Sequence, residues 1–266
     1  MKTKIYKALA ILASLCLTTW HTVPALAEVS TNIKVNRPPI VSAIAMQPAL
    51  VAKMQRYPIP KLATPLLPEL KTQIGLEWPE AQVYKFSPLI AGQIEQESNW
   101  KSRAELKTSR EYGFGLVQTT IAYDKNGKER FNNFKNFKRL DPDLANWMWE
   151  DRFNTKYQLK TVVVVDRYNF NMIKGAADVH NQFYMALNAY NGGPGGLLQD
   201  RRLCKATAGC DPAKWFNNVE RTSYKSKVAV HGYSKSFFQI SREYVYNIIV
   251  IRSPKYAKTL IDEVWS

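Results

Sequence analysis

A mainly α fold is what this 266-residue chain predicts, and three features carry that reading. Apolar residues recur at helical spacing through long stretches, Pro follows a capping residue twice, and few segments alternate between apolar and polar. Ser87-Pro88 gives the first start signal, a capping Ser with Pro at the first helical position, and organised structure is expected from there. Asp141-Pro142 repeats it ahead of Leu144-Ala145-Asn146-Trp147-Met148-Trp149. Thr155 to Lys174 has apolar residues at 159, 162, 163, 170 and 173, a stripe interrupted by Asp166. Val162 to Val165 alone would suggest a strand, but the longer period decides for a helix. Val179 to Tyr190 reads as another, stopped by Asn191-Gly192-Gly193-Pro194-Gly195-Gly196, and Phe237 to Ile251 as a further one.

The N-terminus reads as an address. Lys2, Lys4 and Lys7 precede an apolar run from Ala8 to Leu17, and Ala25-Leu26-Ala27 supplies small residues where a signal peptidase cuts. The run falls short of the roughly 20 residues that span a bilayer, so residues 1–27 are expected to be a cleaved signal peptide and the protein to be exported. Cys16 follows Leu15, where a lipoprotein signal would carry a small residue. Nine of the fourteen prolines lie between Pro38 and Pro88. Residues 28–75 are expected to form a Pro-rich tether or extended wrap, with Val41 to Met54 apolar enough for a short helix. Residues 76–266 are left for the folded domain.

Composition narrows the chemistry. With 45% apolar residues the chain can fill a core, so a disordered basic tail is excluded. The formal charge of +15 falls to +12 when residues 1–27, with three Lys and no acid, are removed. Beyond them the only histidines are His180 and His231, and the only cysteines Cys204 and Cys210. Those cysteines could close a small disulfide loop in an oxidising compartment, or stand as two thiols. C-x-x-C, H-E-x-x-H, G-x-S-x-G and P-loop patterns are absent, so no metal and no cofactor is expected.

One carboxylate stands out. With Ser87 to Trp100 taken as a helix, Ile90, Ile94 and Glu97 share a face. A carboxylate there is costly unless paired or protonated, and a protonated acid near neutral pH is what a glycosidase uses on its leaving oxygen. A helix-end glutamate bonded to the next loop fits the spacing equally. Glu95 falls off that face and is expected to be solvated. Ser98 to Lys101 matches S-x-x-K, but neither S-D-N nor K-T-G follows.

Three segments together carry a resemblance. Glu97-Ser98-Asn99-Trp100 resembles the E-S-x-[FW] helix end of the soluble lytic transglycosylase family, relatives of goose-type lysozyme. The stretch from Ser109 to Gln118, Ser-Arg-Glu-Tyr-Gly-Phe-Gly-Leu-Val-Gln, is similar to that family's S-x-x-G-A-x-G-L-M-Q. Ala189-Tyr190-Asn191-Gly192-Gly193 is similar to its A-Y-N-A-G, and Arg242-Glu243-Tyr244-Val245 to its late helix bearing Tyr-Val. Order and spacing hold over roughly residues 85–255. The departures are Tyr112-Gly113 for Gly-Ala, Val117 for Met, Thr119-Thr120 for an apolar pair, and about three extra residues between Glu97 and Ser109. Thr120 to Lys138 and the Cys204–Cys210 segment read as loop elaborations.

The resemblance implies a lysozyme-like domain with a saccharide-binding groove, working on peptidoglycan glycan strands in the periplasm or cell envelope. Glu97 would be the single acid/base, closing a 1,6-anhydro ring on N-acetylmuramic acid without water. Ser109 and Gln118 would bond the sugar, Tyr190 and Asn191 would line the cleft opposite Glu97, and Tyr244 would hold the catalytic carboxyl. Positive charge suits anionic wall polymers. A tethered catalytic domain suits local wall opening for an envelope-spanning secretion or conjugation machine. Nucleic acid is not an expected partner, since no recognition fold accompanies the lysines. The rival readings are a hydrolytic muramidase and a non-catalytic basic wall-binding module.

Overall fold

The computed structural model describes residues 56–224 and 235–261. The expected signal peptide, the short helix at Val41–Met54, most of the tether and His231 lie outside the described residues. The fold is mainly α, with a small antiparallel sheet. The described residues fall into two compact units, one of residues 56–172 and 244–261, the other of 173–224 and 235–243. No helix among them is long and apolar enough to cross a membrane.

The first unit opens with α1, Leu67–Glu77, whose Leu67, Leu70 and Ile74 are buried. This helix begins inside the stretch expected to be extended, because Pro68 occupies its first turn, where an amide donor has no partner to lose. After the short α2, Glu80–Val83, comes α3, Ser87–Ser98. Ser87 opens α3 and does not cap it: Phe86 is the flanking residue, and no side chain caps the first turn. Ile90, Ala91, Gly92, Gln93 and Ile94 are all buried, so α3 is enclosed nearly all round. Around it lie α1, α5 and the chain after residue 246.

Between α3 and α5 the chain forms a four-stranded meander that helical periodicity did not announce. Its strands are β1 Glu105–Lys107, β2 Glu111–Phe114, β3 Thr119–Tyr123 and β4 Glu129–Asn132, paired in that order. The register sets Glu105 opposite Phe114, Gly113 opposite Thr120 and Ala122 opposite Phe131. The stretch expected to be a loop, Thr120 to Lys138, is thus β3, β4 and the short α4, Asn133–Phe137. Phe114, Phe134, Leu144, Trp147 and Val164 bury together there. Each such side chain contributes on the order of 2 kcal/mol relative to exposure.

The helix expected after Asp141-Pro142 is only a 3₁₀ turn, Leu144–Asn146. Asp141 accepts the backbone N–H of Asp143, and Trp147 turns extended at ψ 108°. Helix α5, Thr155–Met172, matches its prediction, with Val162 to Val165 buried in its interior. Its Lys160 meets Glu77 at 2.7 Å, Asp141 at 3.1 Å and Asp143 at 2.5 Å. Burial alone would lower the lysine's pKa, but its carboxylate partners raise it above the ordinary value.

The second unit holds α6, Val179–Gly192, capped by Asp178 through the N–H of Asn181. The glycine-rich breaker does not end helical structure. Gly193, at φ 81°, turns the chain, and Pro194 sits in the first turn of α7, Pro194–Lys205. Cys204, in the last turn of α7, is joined by a disulfide to Cys210 beyond it. Arg242, on α8 (Phe237–Tyr246), is buried between Trp215 and Phe238 and bonds Asp200 at 2.7 Å and the carbonyl of Glu220 at 3.0 Å. The chain passes back to the first unit within α8. The expected helix to Ile251 continues as a π-helical stretch, Asn247–Arg252, followed by a 3₁₀ turn, Ser253–Tyr256, and α9, Ala257–Leu260.

Candidate active site

Glu97 stands in the last turn of α3, partly exposed. Tyr244, itself buried, donates its hydroxyl to Glu97 Oε1 at 2.5 Å across 147 residues of sequence. Burial pushes the Glu97 carboxyl from an ordinary 4.5 up to about 7, against the hydrogen bond from Tyr244, which favours the charged form. A carboxyl raised this far can hold a proton near neutral pH. With Tyr244 donating to Oε1, that proton belongs on Oε2.

Below Glu97 lies a pair that the sequence reading did not assign. Gln93, one turn earlier on the same face of α3, donates Nε2–H to Asp166 Oδ1 at 3.2 Å. Both residues are fully buried. Burial pushes the Asp166 carboxyl well above its ordinary range, Gln93 opposes this, and the charge of Glu97 adds to it. Asp166 was visible in the sequence only as the polar break in an apolar stripe.

Glu95 corrects the expectation that it is solvated. It is buried, and meets Lys255 at 2.7 Å, Arg252 at 3.1 Å and the hydroxyl of Tyr256 at 2.5 Å. Tyr256 also accepts the indole N–H of Trp100 at 2.8 Å. Asn99 and Trp100 are left-handed, with φ of 53° and 63°, so α3 ends abruptly and the network fastens the turn that presents Glu97. The partners lie some 160 residues away, so helical phase within α3 could not disclose them.

The remaining expected residues stand on other segments of the chain. Ser109 is exposed in the β1–β2 turn. Gln118, at φ 46°, folds its amide back and donates to the carbonyl of Gly115 at 3.0 Å, a donor turned on its own loop. Gly115 has φ 79°, and a Cβ there would lie 2.7 Å from Gln158. Gln158 reaches from α5 to accept the N–H of Leu116 at 2.6 Å and to donate to the carbonyls of Ser102 and Arg152, which ties the loop to the helix. Tyr190, partly exposed, and Asn191, exposed, end α6 in the second unit.

Glu97 with Tyr244 is thus the pairing in which the structure joins two expected site residues. Chemically it is a single acid of near-neutral affinity for its proton, with one oxygen fixed and one available. Among the described residues no group of three or more His, Cys, Asp and Glu is placed to hold a metal ion. Compared with protein-family models and with curated proteins, the chain has no match.

Proposed function

We propose that the protein is an exported, lysozyme-like lytic transglycosylase that cleaves the β-1,4 bond between N-acetylmuramic acid and N-acetylglucosamine in peptidoglycan. The observation that carries this reading is the Glu97 carboxyl, pushed up to about 7 and held at one oxygen by Tyr244. Oε2–H of Glu97 protonates the glycosidic oxygen as the C1–O bond breaks, and the N-acetyl group of the muramic residue stabilises the positive centre. The muramic 6-hydroxyl then attacks C1 while its proton returns to Glu97, so the enzyme ends as it began. One residue thus serves in turn as acid and base. The two-carboxylate scheme is not needed, because the attacking hydroxyl is already part of the substrate.

Other features fit this reading. The Cys204–Cys210 disulfide suits an oxidising compartment, and the basic charge suits an anionic wall. Local wall opening for an envelope-spanning machine is the process it would serve. The test is digestion of purified peptidoglycan by the wild type and by Glu97→Gln, with the released muropeptides weighed. Anhydro products from the wild type, and a loss of about 100-fold or more in the variant, are expected. Reducing ends would instead identify a muramidase. Binding without release by either protein would leave a wall-binding module.

A further inference from the structure

Two buried oxygens of the bonded Gln93–Asp166 pair in the first unit are left without a donor. Gln93 Nε2 already gives its hydrogen to Asp166 Oδ1, yet Gln93 Oε1 and Asp166 Oδ2 are both buried and have no hydrogen-bond partner. An amide oxygen and a carboxylate oxygen are both acceptors, so an ionised Asp166 satisfies neither. A proton on Oδ2 turns it into a donor and satisfies both atoms at once. The acid and the amide then form a closed ring of two hydrogen bonds, Nε2–H to Oδ1 and Oδ2–H to Oε1.

We propose that Asp166 is a neutral carboxylic acid locked in this ring with Gln93, and that the ring is the positioning floor of Glu97. This extends the reading of Glu97 as the acid and rests on it. Gln93 and Glu97 are one turn apart on α3, so fixing the Gln93 amide from α5 fixes the face on which Glu97 stands. A neutral Asp166 also leaves Glu97 the one carboxyl here that changes charge during turnover. The other groups on the surrounding elements are engaged elsewhere. Tyr244 of α8 bonds Glu97 itself, Arg252, Lys255 and Tyr256 close on Glu95, and Glu77 of α1 pairs with Lys160 of α5. None of these offers Asp166 a compensating positive charge. Full burial and the nearby charge of Glu97 both oppose its ionisation.

Carboxyl carbon NMR of the full chain tests this without any substrate. In the wild type the Asp166 carbon should keep the shift of a protonated acid throughout the titration of Glu97 near 7. Asp166→Asn can close the same ring, as one amide against another, so the Glu97 midpoint should stay within about 0.3 unit. Asp166→Leu leaves the Gln93 amide without partners and should move that midpoint by about 0.5 unit or more, with kcat falling about 10-fold or more and KM changing little. An Asp166 carbon that titrates in this range, or is a carboxylate at pH 7, overturns the proposal. So does an Asn variant as perturbed as the Leu variant. A wild type that releases no muropeptides yet shows a neutral Asp166 and the Asn/Leu contrast at Glu97 refutes the transglycosylase reading and upholds the ring.

Discussion

Glu97 and Tyr244 work against each other electrostatically, and that opposition can be measured. Tyr244 stabilises the carboxylate, so Tyr244→Phe should raise the Glu97 pKa further and move the alkaline limb of the pH–rate profile upward by about 0.5 to 1 unit. It should also lower kcat by about 10- to 100-fold, since one oxygen of the acid is no longer held. The same shift bears on stability. A carboxyl with a folded pKa near 7 and an unfolded one near 4.5 costs the fold stability progressively as pH rises between those values. Glu97→Gln keeps the acceptor for Tyr244 and removes that cost. It should therefore melt higher than the wild type at pH 8, by about 1–3 kcal/mol, with the difference gone by about pH 4. Thermal melts at the two pH values check it. Glu97 itself was readable in the sequence because its position, three residues past Ile94, contradicts an apolar face. Glu95 was misread for the complementary reason: its partners come from Arg252–Tyr256, and no local period encodes them.

Helix α3 and the chain crossing it are fitted backbone to side chain at Gly92. A Cβ there would lie 2.9 Å from the amide nitrogen of Ser253 and 3.2 Å from its Cα, neither of which can swing away. Alanine is ordinarily better than glycine within a helix by roughly 1 kcal/mol. Here the overlap should win, and Gly92→Ala should lower the melting temperature by the equivalent of about 1–2 kcal/mol. Activity should fall with it, because the displaced segment also brings Arg252 and Lys255 to Glu95. The long helices were readable because 18 residues of α5 and 14 of α6 give several turns of apolar period. The meander was not, because strands of three to five residues give one or two alternations each. Helix α7 was hidden behind a run of glycines that normally marks a break, and here Gly193 and Pro194 end one helix and begin the next.

At the level of the whole chain, the mainly α character and the Glu97–Tyr244 contact followed from spacing and resemblance. The division into two compact units did not, since the chain leaves the first unit after Met172 and returns at Tyr244. The disulfide was readable as a possibility from the cysteine count, and geometry decided it. Its loop is short, so reduction should cost only about 2 kcal/mol. A small drop in melting temperature with reductant, absent in a Cys204→Ser/Cys210→Ser variant, is the expected result.

The π-helical stretch Asn247–Arg252 has a consequence for chain length. A π turn accommodates one residue more than an α turn over a similar rise. Loss of one residue there would let α8 run on as ordinary helix, and the chain beyond would keep nearly its phase about the axis. With Arg252 itself retained, Arg252, Lys255 and Tyr256 would still face Glu95. A one-codon deletion between Asn247 and Ile251 would thus spare the support of the Glu97 turn, whereas one in the α-helical turns of α8 would swing that support aside.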